Sequence, residues 1–143
     1  MLSDPIETLL YVHLPSGSEL PTLPSDQAFR AVLILEAPVT VQWQDRVSRW
    51  LVDSGCLYMM AWGPGCSSWD DSVDWANIES FESGDIPEDR FVLTTWHEGQ
   101  SLEEAFDFCK ACAKHPVVPL PVVMLIHIAE QERETELRER FNR

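Results

Sequence analysis

The sequence is poor in basic residues, and it lacks the hallmarks of membrane and nucleic-acid-binding proteins. Only 10 of its 143 residues are Lys or Arg, against 24 Asp and Glu, which gives a formal net charge of −14. Such a charge repels nucleic acid and anionic membranes. No apolar stretch approaches the roughly 20 residues that span a bilayer, and no basic segment precedes an apolar run in residues 1–10. We therefore expect a cytoplasmic protein that binds neither nucleic acid nor membrane.

Motifs for cofactors and metals are absent as well. The chain has neither G-x-G-x-x-G nor G-x-x-x-x-G-K-[ST], and the Gly-Pro-Gly turn at residues 63–65 precedes an acidic segment that would repel phosphate. No EF-hand pattern is present. The four cysteines lie in apolar contexts, which is typical of free thiols in a reducing compartment and not of a disulfide-stapled domain. We expect no cofactor and no resident metal ion.

What the sequence does contain is an alternation of strand and helix patterns. Short apolar runs of the kind that form buried strands occur at TLLYVHL, FRAVLILEA, CLYMMAW, RFVLTTW and VVMLIHIA. Helical spacing follows at residues 40–55 and 101–115, and a loop with a short helix is expected within residues 61–80. This order predicts a single-domain, three-layer α/β sandwich with a mostly parallel sheet of four or five strands and helices on both faces. Its outline is Rossmann-like, without the dinucleotide motif.

Local signals set the expected boundaries. Residues 1–28 are predicted to form an N-terminal strand and a Pro-rich connection, and residues 29–143 one globular α/β unit. Thr40 is the expected N-cap of the first helix and Gly55 its stop. Ser101 and Glu104 form a capping box. The C-terminal segment EQERETELRERFNR is predicted to be a polar helix that lies loosely on the sheet.

The caps of the second helix leave part of its acidity unexplained. Ser68 followed by Asp71 is a capping arrangement, and acids in a first helical turn are stabilised by the helix dipole. Asp74 and Trp75 do not share that structural role. An exposed tryptophan beside carboxylates is typical of a protein-binding hot spot.

The acidic charge is concentrated in the middle of the chain. Residues 50–108 contain 13 acidic residues and one basic residue, Arg90, so this segment carries −12 of the net −14. Such a segment favours a basic protein partner or a divalent cation, while the simpler interpretation is solubility alone. The predicted binding surface consists of Trp69, Asp70, Asp71, Asp74, Trp75, Trp96 and Glu98.

A catalytic alternative uses the same part of the chain. In an open parallel sheet, ligands bind at the carboxyl ends of the strands. Cys66 follows one predicted strand and His97 another, so they could act as nucleophile and base, with Asp70, Asp71 or Glu98 as the orienting acid. A second version holds a hard cation on Asp70, Asp71 and Asp74, with Glu98 as a further ligand. Both versions describe a small hydrolase.

Four other titratable residues are better explained as structural. Cys109-x-x-Cys112 with His115 has metal-ligand spacing, but both cysteines fall on the expected buried stripe of a helix and no second pair exists. His127 alternates with apolar residues inside a strand, which predicts a hydrogen-bonded core histidine.

Two longer segments resemble a known family. The runs AWGPGCSSWDDSVDWANIE and FVLTTWHEGQSLEEAFDFCKACAKHP, within roughly the C-terminal two-thirds of the chain, resemble a family of small bacterial α/β proteins of unknown function. The resemblance implies a bacterial, cytoplasmic setting and no particular activity. Our leading hypothesis is an acidic protein-binding module, immunity-like or inhibitory toward a basic partner. The alternatives are the small hydrolase and an accessory subunit that assembles through its C-terminal helix.

Overall fold

A computed structural model describes residues 5–143; residues 1–4, the start of the predicted N-terminal segment, lie outside the described residues. The described chain forms one five-stranded sheet in the order β1-β5-β2-β3-β4, and every pair of neighbours is parallel. The strands are β1 (Thr8–Leu14), β2 (Phe29–Leu35), β3 (Cys56–Trp62), β4 (Leu93–Trp96) and β5 (Val122–Ile128). The helices are α1 (Val41–Asp53), α2 (Trp69–Glu79), α3 (Leu102–Ala111) and α4 (Glu134–Phe141).

The order of the strands explains why the sheet is covered on both faces. From β2 the chain steps outward through α1 to β3 and through α2 to β4, and then α3 carries it back to β5. Since parallel crossovers are right-handed, reversing the direction of travel moves the helix to the other face. Helices α1 and α2 therefore pack together on one face, with α3 and α4 on the other. The predicted α/β sandwich is confirmed, and its topological switch point lies between β2 and β5.

The helix signals in the sequence correspond to real caps. The Thr40 hydroxyl accepts a hydrogen bond from the Trp43 amide at 3.2 Å, and Gly55 follows α1 with a positive φ of 103°. At α3 both halves of the capping box form: Ser101 accepts from the Glu104 amide, and the Glu104 carboxylate accepts from the Ser101 amide. These predicted boundaries are confirmed because each depends on contacts within one helical turn.

Strand β4 is shorter than its sequence suggests. The apolar run RFVLTTW predicted a longer strand, but the ladder to β3 covers only Leu93–Trp96. The Val92 amide instead donates to the Asn77 side chain at 2.9 Å, and residues 88–90 form a 3-10 turn. The Asn77 side chain of α2 thus replaces a strand as the hydrogen-bond partner of Val92, and the ladder between β3 and β4 starts only at Leu93.

Helix α4 is docked, contrary to the expectation that it lies loosely. Leu137 and Phe141 are buried, and the Phe141 ring contacts Phe106 edge-on with 5.0 Å between the ring centroids. The Arg140 guanidinium bonds both oxygens of Glu103, at 2.7 and 3.1 Å. The helix looks polar in sequence because its arginines serve as packing and pairing groups, with only two apolar anchors. No helix in residues 5–143 has the length and apolar character to cross a bilayer.

Candidate functional site

The segment between β3 and α2 is shaped by a glycine that has no room for a side chain. Gly63 has a φ of 114°, and a Cβ on it would lie 2.3 Å from the carbonyl oxygen of Leu35 at the end of the neighbouring strand. The chain then makes a 3-10 turn, Cys66–Ser68, that leads directly into α2. Because Ser68 already has helical backbone angles, its side chain makes no cap to the helix. The predicted Ser68 cap is therefore wrong.

The inner side of α2 packs into the core and includes one residue of the predicted binding surface. Trp69, Val73, Ala76 and Asn77 are buried. Trp69 is only 2% exposed, so its inclusion in a binding surface is wrong: it is the first inward-facing residue of the helix. Helical spacing does distinguish the two tryptophans, since Trp69 and Val73 stand at i and i+4 on one face and Trp75 lies off it.

The three aspartates of α2 form one cluster. Asp70, Asp71 and Asp74 each place a carboxylate oxygen within 4.8 Å of the others. Burial raises the pKa of Asp74, and the neighbouring charges of Asp70 and Asp71 raise it further, against the lowering effect of a hydrogen bond from the Thr94 hydroxyl at 3.1 Å. Among residues 5–143 none of the three forms an ion pair. The cluster offers acceptors and negative charge to whatever approaches it.

Two large aromatic side chains stand exposed near this cluster. Trp75 is 62% exposed and Trp96 is 47% exposed. Helix α2 runs antiparallel to β4, because Asn77 contacts Val92 and Asp74 contacts Thr94. Trp96 therefore lies toward the start of α2, on the same side of the sheet as Thr94. We call this surface the acidic face; its members are the half-buried Asp70 and Asp74 and the exposed Asp71, Trp75, Trp96 and Glu98.

The predicted pair of Cys66 and His97 is not assembled as a nucleophile and base. Cys66 is 1% exposed, and burial raises the pKa of its thiol, with the charge of Glu98 adding to the effect. An activated thiolate needs the opposite environment. Both nitrogens of the His97 ring have other partners: Nε2 lies 3.0 Å from the Thr95 hydroxyl, and Nδ1 lies 3.0 Å from Oε1 of Gln100. This geometry counts against the predicted use of Cys66 and His97 as nucleophile and base.

The Cys-x-x-Cys segment is likewise structural, with one difference from prediction. Cys109 is buried, and burial raises its pKa to about 12. Cys112 is exposed at the end of α3, so its expected place on the buried stripe is wrong. The ring of His115 accepts hydrogen bonds from the amides of Val117 and Val118 and lies 2.8 Å from the carbonyl of Phe91 through Nε2. The imidazole therefore ties the loop after α3 to the start of β4, with no nitrogen left for a metal.

A polar network that sequence reasoning missed lies at the switch point of the sheet. His127, fully buried on β5, lies between Tyr11 of β1 and Glu36 after β2, at 2.6 Å and 2.7 Å respectively. The Arg133 amide donates to the Tyr11 hydroxyl at 3.0 Å, and its guanidinium pairs with Glu36. We call these four residues the His127 network. The prediction of a hydrogen-bonded core histidine is confirmed.

Proton positions in the His127 network follow from its donors. Because the Tyr11 oxygen accepts from the Arg133 amide, its own proton points to Nδ1 of His127, and the ring then donates from Nε2 to Glu36. Burial lowers the pKa of His127, although Glu36 opposes the shift. For Glu36, burial acts to raise the pKa, but hydrogen bonds from Arg133 and His127 outweigh it and leave the pKa below its usual value. The side chains of Tyr11, His127, Glu36 and Arg133 are linked to one another, so the network holds the start of α4 against three strands.

The fold and its strand-end residues define an all-parallel α/β domain with one acidic, aromatic face. Residues 9–143 match a family described as Domain of unknown function (DUF7684), and the chain belongs to this family. No curated protein and no solved structure shows significant similarity to it.

Proposed function

We propose that this protein is a binding module that presents its acidic face to a basic protein partner. The observation that carries the proposal is the exposure of Trp75, 62% open to solvent on a helix that also bears three clustered aspartates. A large aromatic side chain left outside the core loses the stabilisation that burial would give it. Tryptophan is also the residue type most enriched among interface hot spots.

The charge of the acidic face supports the choice of a basic partner. The only basic residue in residues 50–108 is Arg90, and Arg49, just outside that segment, already pairs with Glu79 at 2.7 Å. The aspartates of the cluster have no such pairing in the described chain. An unneutralised field of one sign accelerates encounter with the opposite sign, and salt screens it.

The test is affinity capture with matched variants. The wild-type protein is immobilised and exposed to a bacterial lysate, and captured proteins are purified and titrated back at low and high salt. We expect a partner of high isoelectric point whose affinity falls as salt rises. The variant Asp70→Asn/Asp71→Asn/Asp74→Asn should lose at least about tenfold in affinity, equivalent to about 1.4 kcal/mol.

A control with the same net charge separates the face from bulk electrostatics. Glu19, Asp26 and Glu130 are exposed, lie outside the acidic face, and form no ion pair in the described chain. The variant Glu19→Gln/Asp26→Asn/Glu130→Gln should bind as wild type does. Equal losses in both triple variants, or a partner whose affinity is independent of salt, would contradict the proposal.

The biological setting is proposed on composition and resemblance. Toxin-neutralising (immunity-like) proteins and inhibitors of basic enzymes are commonly small and acidic, so a cytoplasmic role of this kind in a bacterium fits the charge and size of the chain. The partner would then be a basic enzyme or toxin whose cationic surface is covered by the acidic face.

A second candidate, divalent-cation binding, has one observation in its favour. The oxygens of Asp70, Asp71 and Asp74 approach one another closely enough to share a hard cation, although Glu98 is not part of that cluster. Calorimetric titration of the purified protein with Ca²⁺ and with Mg²⁺ tests this directly. Binding that disappears in the Asp70→Asn/Asp71→Asn/Asp74→Asn variant would support a cation site. No heat in the titration, together with no shift in the thermal unfolding midpoint at millimolar Ca²⁺ or Mg²⁺, would remove the metal version of the hydrolase alternative.

A further inference from the structure

Strand β4 forms an open edge of the sheet. It is the last strand in the order β1-β5-β2-β3-β4, and within residues 5–143 its only strand neighbour is β3. Helix α3 packs mainly on β2 and β3, and its Phe108 ring contacts His97 just after β4, with 4.8 Å between the ring centroids. Two apolar side chains are exposed here: Phe91, before the strand, at 45%, and Trp96, its last residue, at 47%.

The hydrogen bond between His97 and Ala61 shows which backbone groups face outward. The His97 amide donates to the Ala61 carbonyl of β3 at 2.9 Å. Residues of a parallel strand alternate in the direction of their backbone groups, so Thr95 also faces β3. Thr94 and Trp96 therefore direct both N–H and C=O away from the sheet, toward solvent. Unpaired strand edges of this kind are templates for another strand.

The opposite edge of the sheet is partly covered by helix α4, and we call it the closed edge. On β1, the Thr8 amide bonds to Pro121 and the Leu14 carbonyl accepts from Ala129, so by the same alternation the outward groups belong to Leu9, Tyr11 and His13. The guanidinium of Arg138 on α4 donates to the Leu9 carbonyl at 2.7 Å. Helix α4 therefore obstructs part of the β1 edge, and we take β4 as the edge more accessible to a partner.

We infer that an extended, basic segment of the partner pairs with the β4 edge and adds a strand to the sheet. This inference rests on the proposed function and specifies how the partner binds. Cationic side chains on one side of the added strand would lie beside Trp96 and the aspartate cluster, where the ring face and the carboxylates both attract positive charge. A second copy of this chain is not the occupant, since two such edges would bring together segments that each carry −12.

The binding mode follows a general pattern of strand addition. Main-chain hydrogen bonds to Thr94 and Trp96 supply affinity, and alternate side chains of the incoming segment supply specificity. The segment should therefore carry Lys or Arg at every second position, with smaller or apolar residues between them on the opposite side of the strand. A helical basic segment would not satisfy the outward backbone groups of β4.

The test uses two synthetic peptides of one sequence. The probe is a capped, extended peptide with lysine at alternate positions and threonine or valine between them. Its control carries N-methyl groups on alternate amides, which removes the donors without changing charge. We expect wild-type protein to bind the unmethylated peptide at least about tenfold more tightly, and amide exchange at Thr94 and Trp96 to slow in that complex.

Two variants of one residue separate backbone from side-chain effects. Thr94→Pro removes the outward amide, which a proline at an edge strand tolerates. Thr94→Val keeps the amide and removes the same hydroxyl. Thr94→Pro should bind the unmethylated peptide more weakly than wild type does, and Thr94→Val should bind it as wild type does. If Thr94→Pro does not fold, the affinities of wild-type protein for the methylated and unmethylated peptides still test strand addition.

The outcomes distinguish this inference from the proposed function. Equal affinity for both peptides, or no protection of the Thr94 and Trp96 amides, overturns strand addition while leaving the acidic face as a binding surface. No detectable peptide binding also overturns strand addition, and the capture experiment then decides the proposed function separately. Peptide binding that the Asp70→Asn/Asp71→Asn/Asp74→Asn variant leaves unchanged counts against the acidic face as the site that attracts the partner.

Discussion

At the β1 edge, helix α4 lies against the strand and Arg138 bonds to the Leu9 carbonyl, whereas at the β4 edge the backbone groups of Thr94 and Trp96 face solvent. The charges follow the same division. In the described chain, every ion pair except Arg49 with Glu79 lies around α4 and the His127 network. Arginine holds the pKa of Glu103 down to about 2 on the closed side. The acidic face on the open side has no such partners.

The comparison distinguishes acids that form ion pairs within the fold from acids that form none and are available to a partner. Outside residues 50–108 the net charge is the difference between −14 and −12, which is −2. Two arginines from that part, Arg49 and Arg140, pair with Glu79 and Glu103 of the acidic segment. Four acids of the segment, Asp70, Asp71, Asp74 and Glu98, form no such pair in the described chain and belong to the acidic face, which is what motivates the binding proposal.

The largest expected effect tests the closed edge. Phe141 is buried against Phe106, so Phe141→Ala should lower the free energy of unfolding by about 3–5 kcal/mol. Phe91→Ala, at an exposed position beside β4, should change it by no more than about 0.5 kcal/mol. Urea unfolding followed by circular dichroism measures both. Similar losses in the two variants would show that the β4 edge is packed as firmly as the β1 edge.

The second prediction concerns the acidic face, where a substitution should weaken partner binding and leave stability unchanged. Trp75→Ala should weaken binding of the captured basic partner by about 2 kcal/mol, since an exposed tryptophan inside an acidic surface fits a hot spot. Its free energy of unfolding should stay within about 0.5 kcal/mol of wild type. Calorimetric titration and urea unfolding give the two values on the same sample. A large loss of stability with unchanged affinity would assign Trp75 to the fold.

The His127 network should make the closed side sensitive to acid. The pKa of His127 is lowered below 6.5 in the folded protein, so the unfolded chain binds the proton more readily. The stabilisation is therefore complete above that pH and is lost as pH falls through the folded pKa. Urea unfolding at about pH 7.5 and about pH 5.5, on either side of the usual histidine pKa, should show a steeper loss in wild type than in His127→Gln. If wild type and His127→Gln lose the same stability between the two pH values, a group other than His127 is responsible for the loss.

The smallest expected effect is a difference in the rate at which a maleimide modifies the thiols of Cys112 and Cys66. Cys112 is exposed, whereas Cys66 is buried under the start of α2 with its pKa raised by burial. A maleimide should therefore modify Cys112 rapidly and Cys66 only on the timescale of opening. Peptide mapping by mass spectrometry after timed quenching gives both rates in one protein. Fast modification of Cys66 would mean that the acidic face is less firmly seated on the sheet than the closed side.

Much of the fold could be predicted because it depends on local pattern. The strands, the Thr40 cap and the Ser101 box each rely on residues within a few positions of one another, and the structure confirms them. The contact between His127 and Glu36 depends on β5 inserting next to β2, which no local pattern encodes. The sequence placed His127 inside a strand and Glu36 after another, but it did not show that the two side chains are adjacent.

Burial at the candidate site was harder to predict than its composition. The sequence identified the acidic segment correctly, yet Trp69 is inside and Trp75 is outside, although both lie on the same short helix. Cys66 follows a strand as expected, but the 3-10 turn folds its thiol inward. For Trp69, the i, i+4 spacing with Val73 already indicated the inward face. For Cys66, the deciding factor is how the turn packs on the assembled sheet, which no local pattern encodes.

The tie between α2 and β4 has a thermodynamic consequence for recognition. The Asn77 side chain bonds to the Arg90 carbonyl and the Val92 amide, and Asp74 accepts from Thr94, so helix and strand are held together before any partner arrives. A partner that orders neither element on arrival loses less conformational entropy in the complex. We therefore expect association without an induced-fit phase and a complex whose lifetime, more than its rate of formation, responds to substitutions at the interface.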